Sequence, residues 1–176
     1  IYVKLSPPIT GGTLSISYEV DGVESTIGSY TPVNGAVQVT WTPPQAGTYV
    51  ITVYYTNPPN YMPSSTNLTL IVNKAPCSIS IAINGTPEVL HEITVLSRMK
   101  PVIINAQLNV LIIGNATLLS GVAYVNASGV GIYTFTPKLP GNYSIIVYWP
   151  GNIDYQECRA TYVLSISKAP LTLNVN

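Results

Sequence analysis

The chain is 176 residues long, with 8% charged residues and a formal net charge of zero. Soluble domains average roughly 25% charge, so the polar surface here must come from Ser, Thr, Asn, Gln and Tyr. No basic stripe exists to hold nucleic-acid phosphates. No stretch reads as membrane-spanning: the best, residues 102–125, is interrupted by Asn105, Gln107, Asn109 and Asn115 and alternates with a period of two.

From the first residue onward, alternating apolar and polar positions predict strands near 1–5, 13–20, 24–30, 36–42, 48–55 and 66–73. In the second of these, Leu14, Ile16, Tyr18 and Val20 share one face, and Ser15, Ser17 and Glu19 the other. Tyr49, Ile51, Val53 and Tyr55 likewise alternate with Val50, Thr52 and Tyr54. Gly11-Gly12, Asp21-Gly22, Asn34-Gly35, Pro43-Pro44 and Asn57-Pro58-Pro59 punctuate the strands as turns. Asn73-Lys74-Ala75-Pro76 is a short linker. Its proline fixes φ and restricts the residue before it, which predicts a semi-rigid joint. Further strands are expected at 77–83, 92–97, 107–113, 118–125, 130–136, 142–149 and 160–167. No helical period persists beyond a turn. The expected fold class is all-β, with two tandem antiparallel β-sandwiches.

The second half repeats the first. Sliding the sequence so that Gly47 falls on Gly141 aligns it with itself without gaps. Thr40/Thr134, Pro43/Pro137, Tyr49/Tyr143, Ile51/Ile145, Val53/Val147, Tyr61/Tyr155 and Leu70/Leu164 match. Lys74-Ala75-Pro76 recurs as Lys168-Ala169-Pro170. An alternating strand, Cys77 to Ile83, follows the first triplet, and another, Leu171 to Asn176, follows the second. Ile1 aligns with Val95, so domain 1 has no counterpart of strand 77–83. The predicted domains are an incomplete sandwich at 1–73, a complete one at 74–167, and a linker with a C-terminal strand at 168–176.

A sandwich lacking its opening strand exposes an unpaired edge and opens its core to water. A strand from another molecule repairs both, which is donor-strand complementation. Leu171, Leu173 and Val175 would point inward, with Thr172, Asn174 and Asn176 outward. The predicted function is therefore a structural subunit that polymerises head to tail with identical copies. The alternative is a segment of a longer tandem array, cut between the first and second strands of a domain.

Pro44-Gln-Ala-Gly-Thr-Tyr-Val-Ile-Thr-Val-Tyr-Tyr55 with Asn60-Tyr61 resembles the hallmark of bacterial and archaeal Ig-like repeat domains. So does Pro140-Gly-Asn-Tyr-Ser-Ile-Ile-Val-Tyr-Trp149 with Asp154-Tyr155. Such repeats serve as stalks, spacers, adhesins and surface-layer modules. The low charge, high Tyr content and Asn-rich sequons resemble archaeal surface proteins, and the two-domain plan with an exchanged strand resembles the pilins of archaeal thread filaments. The resemblance implies two tandem Ig-like sandwiches in an extracellular protein of the cell surface. First and last strands can run side by side in Ig-like sandwiches, which implies a Cys77–Cys158 disulfide; the alternative is two buried free thiols. The domain 1 counterparts are Leu171 of the donated strand and Ser64.

Five sequons, at Asn67, Asn84, Asn115, Asn126 and Asn142, are candidate sites for N-linked glycan; the alternative for each is an ordinary turn asparagine. No other cofactor or metal is expected. His91 is the sole histidine, and Glu88 and Glu92 flank it without enough ligands for a metal. No two of the seven acidic residues suggest a catalytic pair, and no nucleophile elbow or phosphate loop occurs, so no catalytic residue and no enzyme activity are expected. Lys4 and Glu19 are conceivable members of an isopeptide bond in domain 1. Tyr54, Tyr55, Tyr61 and Trp149 could stack on sugars in an adhesin; core and loop packing is the competing role.

Overall fold

The computed structural model describes residues 1–57, 59–114 and 116–173. The chain divides into two compact units, Ile1–Lys74 and Ala75–Asn176. Unit 1 holds β1 (Tyr2–Lys4), β2 (Thr13–Val20), β3 (Val23–Tyr30), β4 (Ala36–Gln38), β5 (Gly47–Asn57) and β6 (Tyr61–Val72). Unit 2 holds β7 (Ser78–Asn84), β8 (Ile93–Lys100), β9 (Gln107–Gly114), β10 (Thr117–Tyr124), β11 (Val130–Phe135), β12 (Gly141–Trp149) and β13 (Cys158–Ile166). The described residues contain no helix.

In unit 2 a four-stranded sheet runs β10-β9-β12-β13 and a three-stranded sheet runs β11-β8-β7. Among the described residues, unit 1 has the four-stranded sheet β3-β2-β5-β6 and a two-stranded one, β1-β4. All of these pairings are antiparallel. The registers repeat between units. Val3 opposes Val37 as Ser97 opposes Gly131. Gly47 opposes Val72 as Gly141 opposes Ile166. Ile16 opposes Val53 as Val110 opposes Val147. Among the described residues, β7 alone has no counterpart in unit 1.

Local chemistry explains these elements. Val20 and Val23 pair across Asp21-Gly22, both at positive φ (52° and 77°), the conformation a two-residue hairpin requires. Alternate residues of β9 (Leu108, Val110, Ile112) and β12 (Tyr143, Ile145, Val147) turn inward to meet Ile93, Val95 and Met99 of β8 in one core. Unit 1 has the smaller equivalent, built on Leu14, Ile16, Tyr49 and Ile51. One buried tyrosine closes each core. Tyr49 Oη donates to Gln45 O at 2.6 Å, and Tyr143 Oη donates to Leu139 O at 2.7 Å. In unit 1, Trp41 lies edge-on to Tyr49 at 5.4 Å and tilted against Tyr18 at 4.9 Å.

Two strands depart from the alternation. β4 ends at Gln38 rather than near residue 42, because its partner β1 pairs only through Tyr2–Lys4. β6 begins at Tyr61 rather than near 66, running through Pro63. As the outer strand of its sheet it has one neighbour, and the ladder shifts register between Tyr55 and Asn57 beside the proline.

Candidate functional site

β1 pairs with β4 along one edge, and no described strand pairs with the other. In unit 2 that place belongs to β7, which pairs with β8 from Ser78↔Lys100 to Asn84↔Thr94. Ile79, Ile81 and Ile83 of β7 turn toward the core, while Ser78, Ser80 and Ala82 face out.

The missing cover shows in burial. Val95, Ser97, Met99 and Val147 are at most 1% exposed, and Leu164 and Ile166 are also buried. Their repeat counterparts Ile1, Val3, Leu5, Val53, Leu70 and Val72 are all only half-buried. Between β1 and β6 runs an open groove of about 230 Å³. Val3, Leu5, Pro7, Ile9, Val53, Tyr55 and Met62 line it together with Lys4, Ser6, Tyr61, Ser64, Ser65 and Thr66. Met62 is 90% exposed. The groove thus combines apolar lining side chains with an unpaired strand edge, the two features that a β-strand ligand uses.

The tail carries an apolar pair at alternate positions. Leu171 and Leu173 are 86% and 85% exposed. Val175, the third residue expected to point inward, lies outside the described residues.

A disulfide joins Cys77 to Cys158, with Cα atoms 5.7 Å apart. It fastens the residue preceding β7 to the first residue of β13. Asn67, Asn84, Asn126 and Asn142 are all exposed. Asn67 and Asn142 sit on β6 and β12, opposite Thr52 and Ser165. Asn84 ends β7, and its Oδ1 accepts the Gly85 N–H at 3.0 Å. Asn126 Oδ1 accepts the N–H groups of Ser128 and Val130, leaving its amide nitrogen, the atom a glycan takes. Asn115 lies outside the described residues.

The aromatic set divides. Tyr55 and Trp149 are each 5% exposed; Tyr55 Oη donates to Gly11 O, and Trp149 packs near Tyr155. They are core residues and present no stacking face. Tyr54 and Tyr61 remain exposed. The strand alternation already contained this distinction, since Tyr55 shares its face with Tyr49 and Ile51, and Trp149 with Ile145 and Val147. Lys4 and Glu19 lie on different sheets of unit 1, and both are exposed rather than turned into the core where such a bond forms. His91 Nδ1 lies 3.6 Å from Glu88 Oε2. Among the described residues, no three of His, Cys, Asp and Glu converge. No helix there is long and apolar enough to cross a membrane.

No protein-family model matches the chain, and no curated protein matches it.

Proposed function

We propose that this chain is the structural subunit of an extracellular filament, built head to tail by donor-strand complementation. Each unit is read as an Ig-like sandwich, with unit 1 as acceptor and the strand beginning at Leu171 as donor. One observation carries the reading: six core positions of unit 1 are half-buried where their counterparts under β7 are buried. A strand with the β7 pattern covers those positions, and the tail, following the second Lys-Ala-Pro triplet, has that pattern.

The energetics favour stable joints. Burying Leu171, Leu173 and Val175 contributes roughly 5–9 kcal/mol before the entropy of ordering the tail. Each new backbone hydrogen bond adds about 0.5–1.5 kcal/mol. Release requires the acceptor to open, so joints are long-lived. The disulfide and exposed sequons suit an oxidising, glycosylating cell surface. On this reading the partners are identical copies, and the one covalent addition is N-linked glycan.

The internal repeat also favours a second reading, an Ig-like stalk segment of a longer surface-layer or adhesin protein. There the same groove is filled by a strand preceding Ile1 in the same polypeptide. Light scattering and electron microscopy of the purified chain separate the two. The filament reading predicts concentration-dependent polymers that Leu173→Asp abolishes while both units stay folded. A wild-type chain that stays monomeric at high concentration contradicts it.

A further inference from the structure

Unit 2 records how a strand of this pattern sits in a groove of this shape. Its β7 is held at two points. Cys77 meets Cys158 with Cα atoms 5.7 Å apart, and two residues on, Ile79 lies directly opposite Met99. The repeat assigns each position a partner at a filament joint. Cys77 corresponds to Leu171 and Cys158 to Ser64; Ile79 corresponds to Leu173 and Met99 to Leu5.

The receiving frame is already in place. Ser64 opposes Tyr55 as Cys158 opposes Trp149, and Lys4 opposes Ala36 as Arg98 opposes Val130. Ser64 and Leu5 both line the groove. The hairpin tip differs, because Asn57 pairs with Tyr61 in unit 1 while Tyr155 bridges Ala75 in unit 2. The frame therefore holds from Ser64 onward.

We propose that the tail of one copy binds unit 1 of another in the β7 register, with Leu171 against Ser64 and Leu173 opposite Leu5. This rests on the filament reading and adds its geometry. A two-residue slip keeps the same side chains inward, so apolar patterning alone leaves such registers equivalent. The partner is a second copy of this chain, and the contact at residue 64 is the one that unit 2 closes covalently.

The test recreates that bond at the joint. A chain carrying Leu171→Cys and Ser64→Cys together, oxidised after assembly, should give a ladder of covalent multiples that survives boiling and collapses with reductant. Peptide mapping should place the new bond between residues 171 and 64. The shifted pair Leu173→Cys with Ser64→Cys should give at least ten-fold less ladder, since disulfides tolerate little displacement. Polymers without a ladder, or an equal ladder from the shifted pair, overturn the register and leave the filament reading standing. A wild-type chain that forms no polymers overturns both. If the cysteine variants misfold, a peptide of residues 168–176 added to the unmodified chain should slow amide exchange in residues 3–5. Unchanged exchange there contradicts the register.

Discussion

Ser97 is fully buried on β8, and its hydroxyl has no hydrogen-bond partner. The repeat places Val3 at the same position in unit 1, so the site accepts an apolar side chain. Leaving a buried hydroxyl unsatisfied costs about 1–3 kcal/mol. Ser97→Ala is therefore expected to stabilise unit 2 by about 0.5–1 kcal/mol, read as a higher denaturant midpoint at unchanged m-value. Tyr143 presents the opposite case. Its ring is fully buried, and its hydroxyl serves the Leu139 carbonyl. Tyr143→Phe keeps the packing and removes the bond, so a loss of about 1–2 kcal/mol is expected by the same titration. Neither role could be read from the sequence. Alternation puts both side chains inward, but the partner of a hydroxyl depends on backbone outside the strand.

At the scale of elements, the strands were legible because nearly every one is buried on one face only. The exceptions follow from pairing. β4 is short because β1 is short, and β6 passes through Pro63 because it has a single neighbour. Both depend on partners distant in sequence, which local alternation does not carry. The open edge of β1 was legible only through the repeat, since nothing in residues 1–5 differs in pattern from a strand paired on both sides. The cysteines show the same dependence, their separation of 81 residues being closed by strand topology. A loop of that size corresponds to about 4.5 kcal/mol in the chain-entropy model. Replacing Cys77 and Cys158 together by Ala should destabilise unit 2 by about 3–5 kcal/mol and leave unit 1 unchanged. Hydrogen exchange resolved by unit measures both. Unchanged exchange in unit 2 would show that the bond adds nothing to the hold on β7.

For the molecule as a whole, scarce charge has a consequence for acid. Seven acidic side chains in 176 residues offer few protonation events between pH 7 and pH 2. The unfolding free energy is expected to change by no more than about 1.4 kcal/mol across that range, the equivalent of a single one-unit pKa difference. A much larger change in chemical denaturation at the two pH values would contradict this. The same scarcity leaves solubility to hydroxyls, amides and the proposed glycan at the exposed sequons. Assembly remains the central claim, and material taken directly from the source surface tests it, run on a denaturing gel with and without boiling. Strand-linked polymer predicts a ladder in the unboiled lane that collapses on boiling to the single band at the foot of that ladder. A single much larger band that survives boiling and reductant would contradict the filament and point to a segment of a long array.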